Sequence, residues 1–240
     1  MGRESWQNHP QGHGEYPDVL YRLFDREQYA RDFVELGRFR FGSLASYAEI
    51  QSESRRDAFE GEGRVSYRTQ TMISAHIDTA TGRVVRCTEG PGVISMSSSF
   101  GNPVFIMSFT SRSMPSLAAL SKDFGRWAVR CSQPQRLAQQ ITDHLLRAGE
   151  LDFPIECVRV RYGKGQTFDA EPAGEDRRVL AYGWKEPHFA NECEYRFVLM
   201  ISPASQITSI KGDGYWYVDL GGPAVAAEMF ELQSEESIHD

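Results

Sequence analysis

The chain has 240 residues with 26 basic and 33 acidic side chains, so its formal net charge is −7. Because 40% of the residues are hydrophobic and 25% are charged, the composition predicts a folded protein with a sizeable core and excludes overall disorder. No apolar run approaches the ~20 residues of a membrane helix and no secretory signal is visible, which predicts a soluble cytoplasmic protein without a membrane partner. The acidic balance excludes a globally basic nucleic-acid coat but leaves a local basic cleft open.

Cysteine and histidine spacing argues against a metal centre and against a disulfide scaffold. The cysteines are scattered without a Cys-x-x-Cys pair, and the histidines show neither His-x-His nor His-Glu-x-x-His spacing. We therefore expect no bound metal and reduced thiols, as is usual in the cytosol. The four cysteines are Cys87, Cys131, Cys157 and Cys193.

Polarity at the two ends predicts a single folded domain over residues 17–231. Residues 1–16 are rich in Gly, His, Gln and Asn and indicate a flexible leader. Residues 232–240 are polar and acidic and indicate a tail.

The first predicted unit is strand, helix, glycine and strand. Residues 19–24 form a β-type run, and Asp25 with Gln28 resembles a capping box at the start of a helix. Gly37 suits the position after the helix end, and residues 38–43 alternate polar and apolar side chains as a half-buried strand does.

The middle of the chain predicts strands and one strong helix. Residues 51–64 are almost all charged or small and predict a loop, whereas residues 104–107 are continuously apolar, as in a central strand. Residues 124–129 predict another strand. Residues 134–148 predict an amphipathic helix that begins at a proline and ends before Gly149.

The last third again predicts strands. Residues 157–162 alternate, residues 195–201 are strongly β-type, and residues 207–210 and 215–220 form a final pair around an Asp-Gly turn. Two or three helices and about eight strands that are not regularly interleaved predict an α+β fold with a mostly antiparallel sheet.

Arg22 lies inside the first predicted strand, which is otherwise apolar. An interior strand arginine needs an anion or a carboxylate to offset its desolvation. The alternative is an arginine whose stem lies along an edge strand while its head reaches solvent.

Hydroxyls and carboxylates follow at two later points. Ser108-Phe109-Thr110-Ser111 comes directly after the apolar run and can face a cleft, although Ser and Thr also end strands routinely. Glu192-Cys193-Glu194 precedes the strand of residues 195–201, and strand alternation would place both carboxylates on one side. The alternative for this pair is a solvated strand end.

These segments, taken in chain order, resemble the ADP-ribosyltransferase superfamily of the arginine–serine–glutamate type. In that family an arginine strand, a short helix, a glycine and a second strand come first, and residues 20–43 have this layout. The family's Ser-Thr-Ser is similar to Ser108-Phe109-Thr110-Ser111, with a departure at Phe109, and its Glu-x-Glu is similar to Glu192-Cys193-Glu194. The resemblance spans residues 20–201.

The resemblance implies NAD as co-substrate, no metal, and a single catalytic domain with mixed sheets around an NAD cleft. Glu194 would hold the ribose and stabilise its positive charge in the transition state, and Glu192 would activate the acceptor. Arg22 would bind a phosphate or ribose of NAD.

Further binding residues are implied around this centre. Ser108 would orient Glu194, with Thr110 as the second choice, and Phe109 or Tyr47 would stack on nicotinamide. A charged segment after the second strand is either solvated or contacts NAD or the acceptor, and its candidate residues are Arg56, Asp57 and Glu60.

The function that this resemblance implies is mono-ADP-ribosylation of a macromolecular acceptor, protein or nucleic acid. A bacterial toxin or anti-phage defence effector, with an antitoxin or immunity protein as partner, fits that activity. A nucleic-acid acceptor stays open because basic residues recur early in the chain at Arg38, Arg40, Arg55, Arg56, Arg64 and Arg68. The alternatives are a non-catalytic module that binds a nucleotide or a partner, and an unrelated hydrolase that uses Glu192 and Glu194 as an acid/base pair.

Overall fold

A computed structural model describes most of the chain between residues 16 and 232. The described residues are 16–44, 63–77, 84–98, 104–114, 116–151, 154–162, 166–168, 182–200 and 214–232, with the backbone alone for 63–77, 84–98 and 166–168. The predicted leader and tail lie outside them except for Tyr16, which packs against the core, and Leu232, which is buried. The loop of residues 51–64 up to its last two positions and the candidates Tyr47, Arg56, Asp57 and Glu60 also lie outside them.

Strands outnumber helices in the described residues. In chain order the elements are β1 (Leu20–Phe24), α1 (Glu27–Glu35), β2 (Arg38–Ser43), β3 (Gly63–Ile77), β4 (Val84–Ser98), β5 (Val104–Thr110), α2 (Ser116–Phe124), β6 (Trp127–Cys131), α3 (Pro134–Ala148), β7 (Glu156–Arg159), β8 (Arg161–Tyr162), β9 (Gln166–Phe168), β10 (Trp184–Lys185), a 3-10 helix (Pro187–Glu192), β11 (Glu194–Met200), β12 (Tyr215–Asp219) and β13 (Ala227–Glu231).

The chain divides into two compact units. Unit 1 comprises residues 1–43, 102–159 and 192–240, and unit 2 comprises residues 44–101 and 160–191. The described residues of the arginine, hydroxyl and glutamate segments all belong to unit 1.

Unit 1 is built on an eight-stranded sheet in which every pairing is antiparallel. The strand order is β12-β2-β5-β1-β6-β13, and β11 pairs with β5 and β7. The predicted α+β class with a mostly antiparallel sheet is therefore confirmed.

Strand β5 is the branch point of this sheet. One of its edges is paired with β11 from Val104 to Thr110. Its other edge is shared, because β2 pairs near Phe105 and Ile106 while β1 pairs at Thr110. The sheet therefore forks between β1 and β2, beside the part of β5 that contains Ser108.

The core of unit 1 lies on one face of β5. Phe105, Met107 and Phe109 alternate along the strand and are all buried in the main hydrophobic cluster. Helices α1 and α3 cover this cluster because their apolar residues recur at helical spacing. The helix residues in the cluster are Ala30, Phe33, Leu137, Ala138, Ile141 and Leu145.

The predicted cap of α1 is wrong, whereas the predicted helix ends are confirmed. The N-cap residue is Arg26, without a side-chain cap hydrogen bond. Gln28 instead donates from Nε2 to Asp32 Oδ1 at 2.6 Å, one turn further on. Gly37 follows α1 with φ +60° and Gly149 follows α3 with φ +71°, the left-handed conformation that favours glycine.

Unit 2 contains a long antiparallel hairpin. Strands β3 and β4 pair over most of their length, with irregularities between Thr69 and Met72 and between His76 and Ile77, and β9 adds to β3 in parallel. Strands β8 and β10 form a separate two-stranded parallel sheet. The helices of the described residues include none with the length and apolarity of a membrane crossing.

Two left-handed glycines provide a matched test of close packing. A Cβ on Gly125, where φ is +98°, would lie 2.3 Å from Phe24 O, whereas a Cβ on Gly149 would meet nothing within 4 Å. We expect Gly149→Ala to cost about 1 kcal/mol for backbone strain, and Gly125→Ala to cost at least about 3 kcal/mol because overpacking is added. Urea unfolding followed by circular dichroism measures both losses, and equal losses would contradict the close approach of residue 125 to the end of β1.

Candidate functional site

The backbone changes conformation within the Glu-x-Glu segment. Glu192 ends the 3-10 helix, Cys193 has a left-handed φ of +45°, and β11 begins at Glu194. Strand alternation therefore does not apply across this segment, because Glu192 and Cys193 are not extended. Glu192 is 9% exposed and Glu194 is 3% exposed, so neither lies at a solvated strand end.

A polar group occupies one face of the β5–β11 pair. Arg196 lies directly opposite Ser108, and Glu194 lies opposite Thr110. Directly opposed residues of an antiparallel pair project to the same face, and residues two apart on a strand do so as well. These four side chains therefore share the face that is opposite to Phe109 and the main core.

The carboxylate of Glu194 is held at both oxygens. Ser108 Oγ donates to Oε1 at 2.5 Å, and Arg196 Nε donates to the same oxygen at 2.8 Å. Arg196 Nη2 donates to Oε2 at 3.4 Å. Arg196 is 0% exposed, so the ion pair is buried, as a charged group in a protein interior requires.

Hydroxyls at the end of β5 hold the turn before β11. Thr110 Oγ1 donates to Glu192 O at 2.6 Å and accepts from Arg112 N–H at 3.0 Å. Ser111 donates to Cys193 O from its backbone N–H at 3.1 Å and from Oγ at 3.3 Å. The Ser-x-Thr-Ser segment therefore fixes both the backbone and the carboxylate of the Glu-x-Glu segment.

Arg22 reaches this group from the other face of the sheet. Tyr21 lies opposite Thr110, so the next residue of β1 projects toward the core. Its guanidinium lies 5.4 Å from the Phe24 ring centre and 5.9 Å from that of Phe109. Arg22 Nη1 donates to Ser108 O at 2.6 Å, at the fork between β1 and β2. The predicted need for an anion or carboxylate is met here in part by a backbone carbonyl.

Phe109 belongs to the core rather than to a surface that faces a ligand. It is 3% exposed, and its ring centre lies 4.7 Å from that of Phe197 and 6.5 Å from that of Phe33. A ring enclosed in this way offers no open face on which nicotinamide could stack.

Arg196 is the residue that sequence reasoning missed. The rule that singled out Arg22, an arginine inside an apolar strand, applies equally to Arg196 in the run Tyr-Arg-Phe-Val-Leu. Its spacing of two from Glu194 also predicts a shared face. The sequence therefore carries a signal for Arg196 as well as for Arg22.

The described thiols and acidic residues include no cluster that could hold a metal, and two of the thiols are deeply buried. No group of three or more His, Cys, Asp or Glu side chains that could hold a metal occurs among them. Cys131, Cys157 and Cys193 do not form disulfides. Burial raises the pKa of Cys131 and of Cys157 to about 12, so these two thiols stay protonated at neutral pH.

Two of the six basic residues noted in the sequence have described side chains, and both have partners. Arg38 Nε donates to Asp219 at 2.8 Å, and the guanidinium of Arg40 lies 4.5 Å from the ring centre of Tyr215. Both arginines lie in β2, where side chains two apart share a face. A nucleic-acid acceptor stays a prediction.

Comparison with known proteins yields no relative. No family model matches the chain, and neither a curated protein nor a solved structure matches it. Function must therefore be inferred from the geometry of this chain's own residues.

The Thr110 hydroxyl provides a first test of the site's architecture. Thr110→Val keeps the side-chain shape but leaves the Glu192 carbonyl and the Arg112 N–H without this partner, and we expect a loss of about 1–3 kcal/mol in unfolding free energy. Thr110→Ser keeps the hydroxyl and is expected to lose about 1 kcal/mol or less. Urea denaturation measures both, and a valine variant no less stable than the serine variant would contradict this role.

The Glu194–Arg196 pair provides a second test. Glu194→Gln removes the charge that compensates Arg196, and we expect a loss of about 3–5 kcal/mol. In the double variant Glu194→Gln/Arg196→Met the loss should be smaller than the sum of the two single losses by about 1–3 kcal/mol. Urea denaturation of the four proteins gives this coupling, and additive losses would show that the two charges do not interact.

Proposed function

We propose that this chain is a mono-ADP-ribosyltransferase of the arginine–serine–glutamate type, which cleaves NAD and transfers ADP-ribose to a macromolecular acceptor. One observation carries the proposal. Arg22, Ser108 and Glu194, which the sequence singled out in that order, are joined by hydrogen bonds across β1, β5 and β11. Each bond spans 86 residues of sequence. Local conformational preferences therefore do not explain why these three residues lie together.

The architecture of unit 1 supports an ADP-ribosyltransferase-like fold. The strand, helix, glycine and strand of residues 20–43 precede the branch strand β5, and the Glu-x-Glu segment opens the next strand beside it. The fork between β1 and β2 lies next to Ser108. We propose this fork as the place where the NAD cleft begins.

The chemistry requires a negative group beside a developing positive charge. The bond between the nicotinamide nitrogen and ribose C1′ breaks, and neutral nicotinamide leaves with the bonding electron pair. The ribose then has oxocarbenium character, which a fixed carboxylate stabilises more than it stabilises the ground state. Glu194 is the proposed carboxylate because Ser108 and Arg196 hold it in a site with little water.

The other proposed roles follow from the neighbours of Glu194. Glu192 would accept the proton of the acceptor nucleophile as that group attacks C1′, and Thr110 holds its backbone. Arg22 would bind a phosphate or ribose of NAD, because a guanidinium offers several donors in a fixed planar geometry. Tyr47, Arg56, Asp57 and Glu60 stay predicted contacts of NAD or the acceptor.

The biological setting that fits this activity is a bacterial toxin or an anti-phage defence effector with an immunity protein as partner. Its acceptor would be a protein or a nucleic acid. A soluble cytoplasmic location stays the sequence prediction.

The activity is tested with the purified 240-residue chain, NAD labelled in its ADP-ribose part, and bacterial lysate. We expect nicotinamide release and labelling of a macromolecule, and treatment of the lysate with nuclease or protease identifies the acceptor class. Glu194→Gln should lower the rate by about 10²-fold or more, because the charge stabilisation is lost. Glu228→Gln is the matched control, since that carboxylate is exposed and pairs with Arg130, and it should keep the wild-type rate.

Two outcomes would contradict the proposal. Folded wild-type protein that neither releases nicotinamide nor transfers label is not a transferase. A Glu194→Gln variant that is folded and fully active would show that the activity resides elsewhere in the chain.

A second candidate function, a non-catalytic module that binds a nucleotide or a partner, is favoured by a different observation. The Glu194 carboxylate is 3% exposed and already bonded by Ser108 and Arg196, as a purely structural ion pair would be. Calorimetric titration with NAD, measured beside nicotinamide release, separates the two functions. Binding without release would favour the module.

A further inference from the structure

We infer that Arg196 is a positioning residue that fixes the carboxylate of Glu194 for the reaction, a role that rests on the proposed transferase function. The family resemblance assigned no task to this arginine. Its place in the sheet and its contacts distinguish it from the other arginines of unit 1 whose ion pairs are described.

The depth of Arg196 is the first argument. The ion pairs of Arg31, Arg38, Arg126 and Arg130 join side chains that are mostly well exposed, whereas the side chains of Arg196 and Glu194 are 1% and 4% exposed. Exposed pairs are screened by water and hold their partners weakly. A buried pair with two hydrogen bonds restricts the carboxylate much more strongly.

The geometry of the bonds is the second argument. Ser108 Oγ and Arg196 Nε both donate to Oε1, and Arg196 Nη2 donates to Oε2. A single donor at Oε1 would leave the carboxylate free to turn about its last side-chain bond. The second nitrogen of a planar guanidinium prevents this turn, because the fork of donors matches the two oxygens.

Sheet register is the third argument. Arg196 lies opposite Ser108 and two residues after Glu194. The pairing of β5 with β11 therefore places these three side chains on one face of the sheet. Catalytic groups held on strands by a second set of hydrogen bonds are positioned more accurately than groups on loops. The pair therefore sets the position of Glu194 relative to the fork beside Ser108.

The experiment compares Arg196→Lys and Arg196→Met with wild type in nicotinamide release from NAD. A lysine keeps the charge but cannot hold both oxygens, so we expect kcat to fall about 10-fold for lysine and about 10²-fold for methionine. We expect KM for NAD to change less than about threefold, because Arg22, the residue proposed to bind a phosphate or ribose of NAD, is unaltered. Circular dichroism gives the folded fraction by which each rate is corrected, and Arg130→Met, which removes an exposed arginine, is the matched control.

The outcomes separate the inference from the function on which it rests. An inactive, folded wild type would overturn both. An active wild type with folded lysine and methionine variants whose kcat lies within twofold of it would overturn the positioning role alone. If the methionine variant fails to fold, the lysine variant decides: an unchanged kcat overturns the role, and a lower kcat at constant KM supports it.

Discussion

A charged carboxylate that is removed from water must be matched by donors, and this constraint organises the centre of unit 1. Glu194 and Arg196 form a buried ion pair at the start of β11, and Ser108 of β5 completes the set. If either member moved away, the other charge would stay buried without its partner, which is costly. The pair therefore constrains the register of β11 against β5. The Thr110 and Ser111 hydroxyls hold the turn that precedes it.

Side-chain alternation along β5 explains how one strand serves both the core and the polar site. Its odd-numbered residues Phe105, Met107 and Phe109 enter the hydrophobic cluster, and its even-numbered Ser108 and Thr110 face the ion pair. On the edge of β5 away from β11, β1 and β2 diverge, and the Arg22 guanidinium reaches the Ser108 carbonyl between them. Two charged groups from opposite faces thus meet at one residue of the branch strand.

Much of the fold could be predicted from local patterns, and much of the site could be predicted only as a list of residues. The strands around Arg22 and after Glu194, the helix of residues 134–148 and the glycine ends follow from periodicity and backbone preference. The cap of α1 was predicted wrongly because Gln28 has an alternative partner one turn away. The assumption of an extended Glu192 failed because a 3-10 helix and a left-handed residue precede β11, and neither has a signal in Glu-Cys-Glu.

The sequence by itself determined the α+β class, the chain order of the arginine, hydroxyl and glutamate segments, and the alternation that separates core from polar face. These properties depend on residues that are close in sequence, so the sequence pattern alone predicts them. Only the tertiary structure decided that Ser108 binds Glu194, that Arg22 binds a backbone carbonyl, and that Arg196 is the counter-charge. Those choices depend on which strands pair and in which register, and the pairing is set by burial of the whole sheet rather than by any one segment.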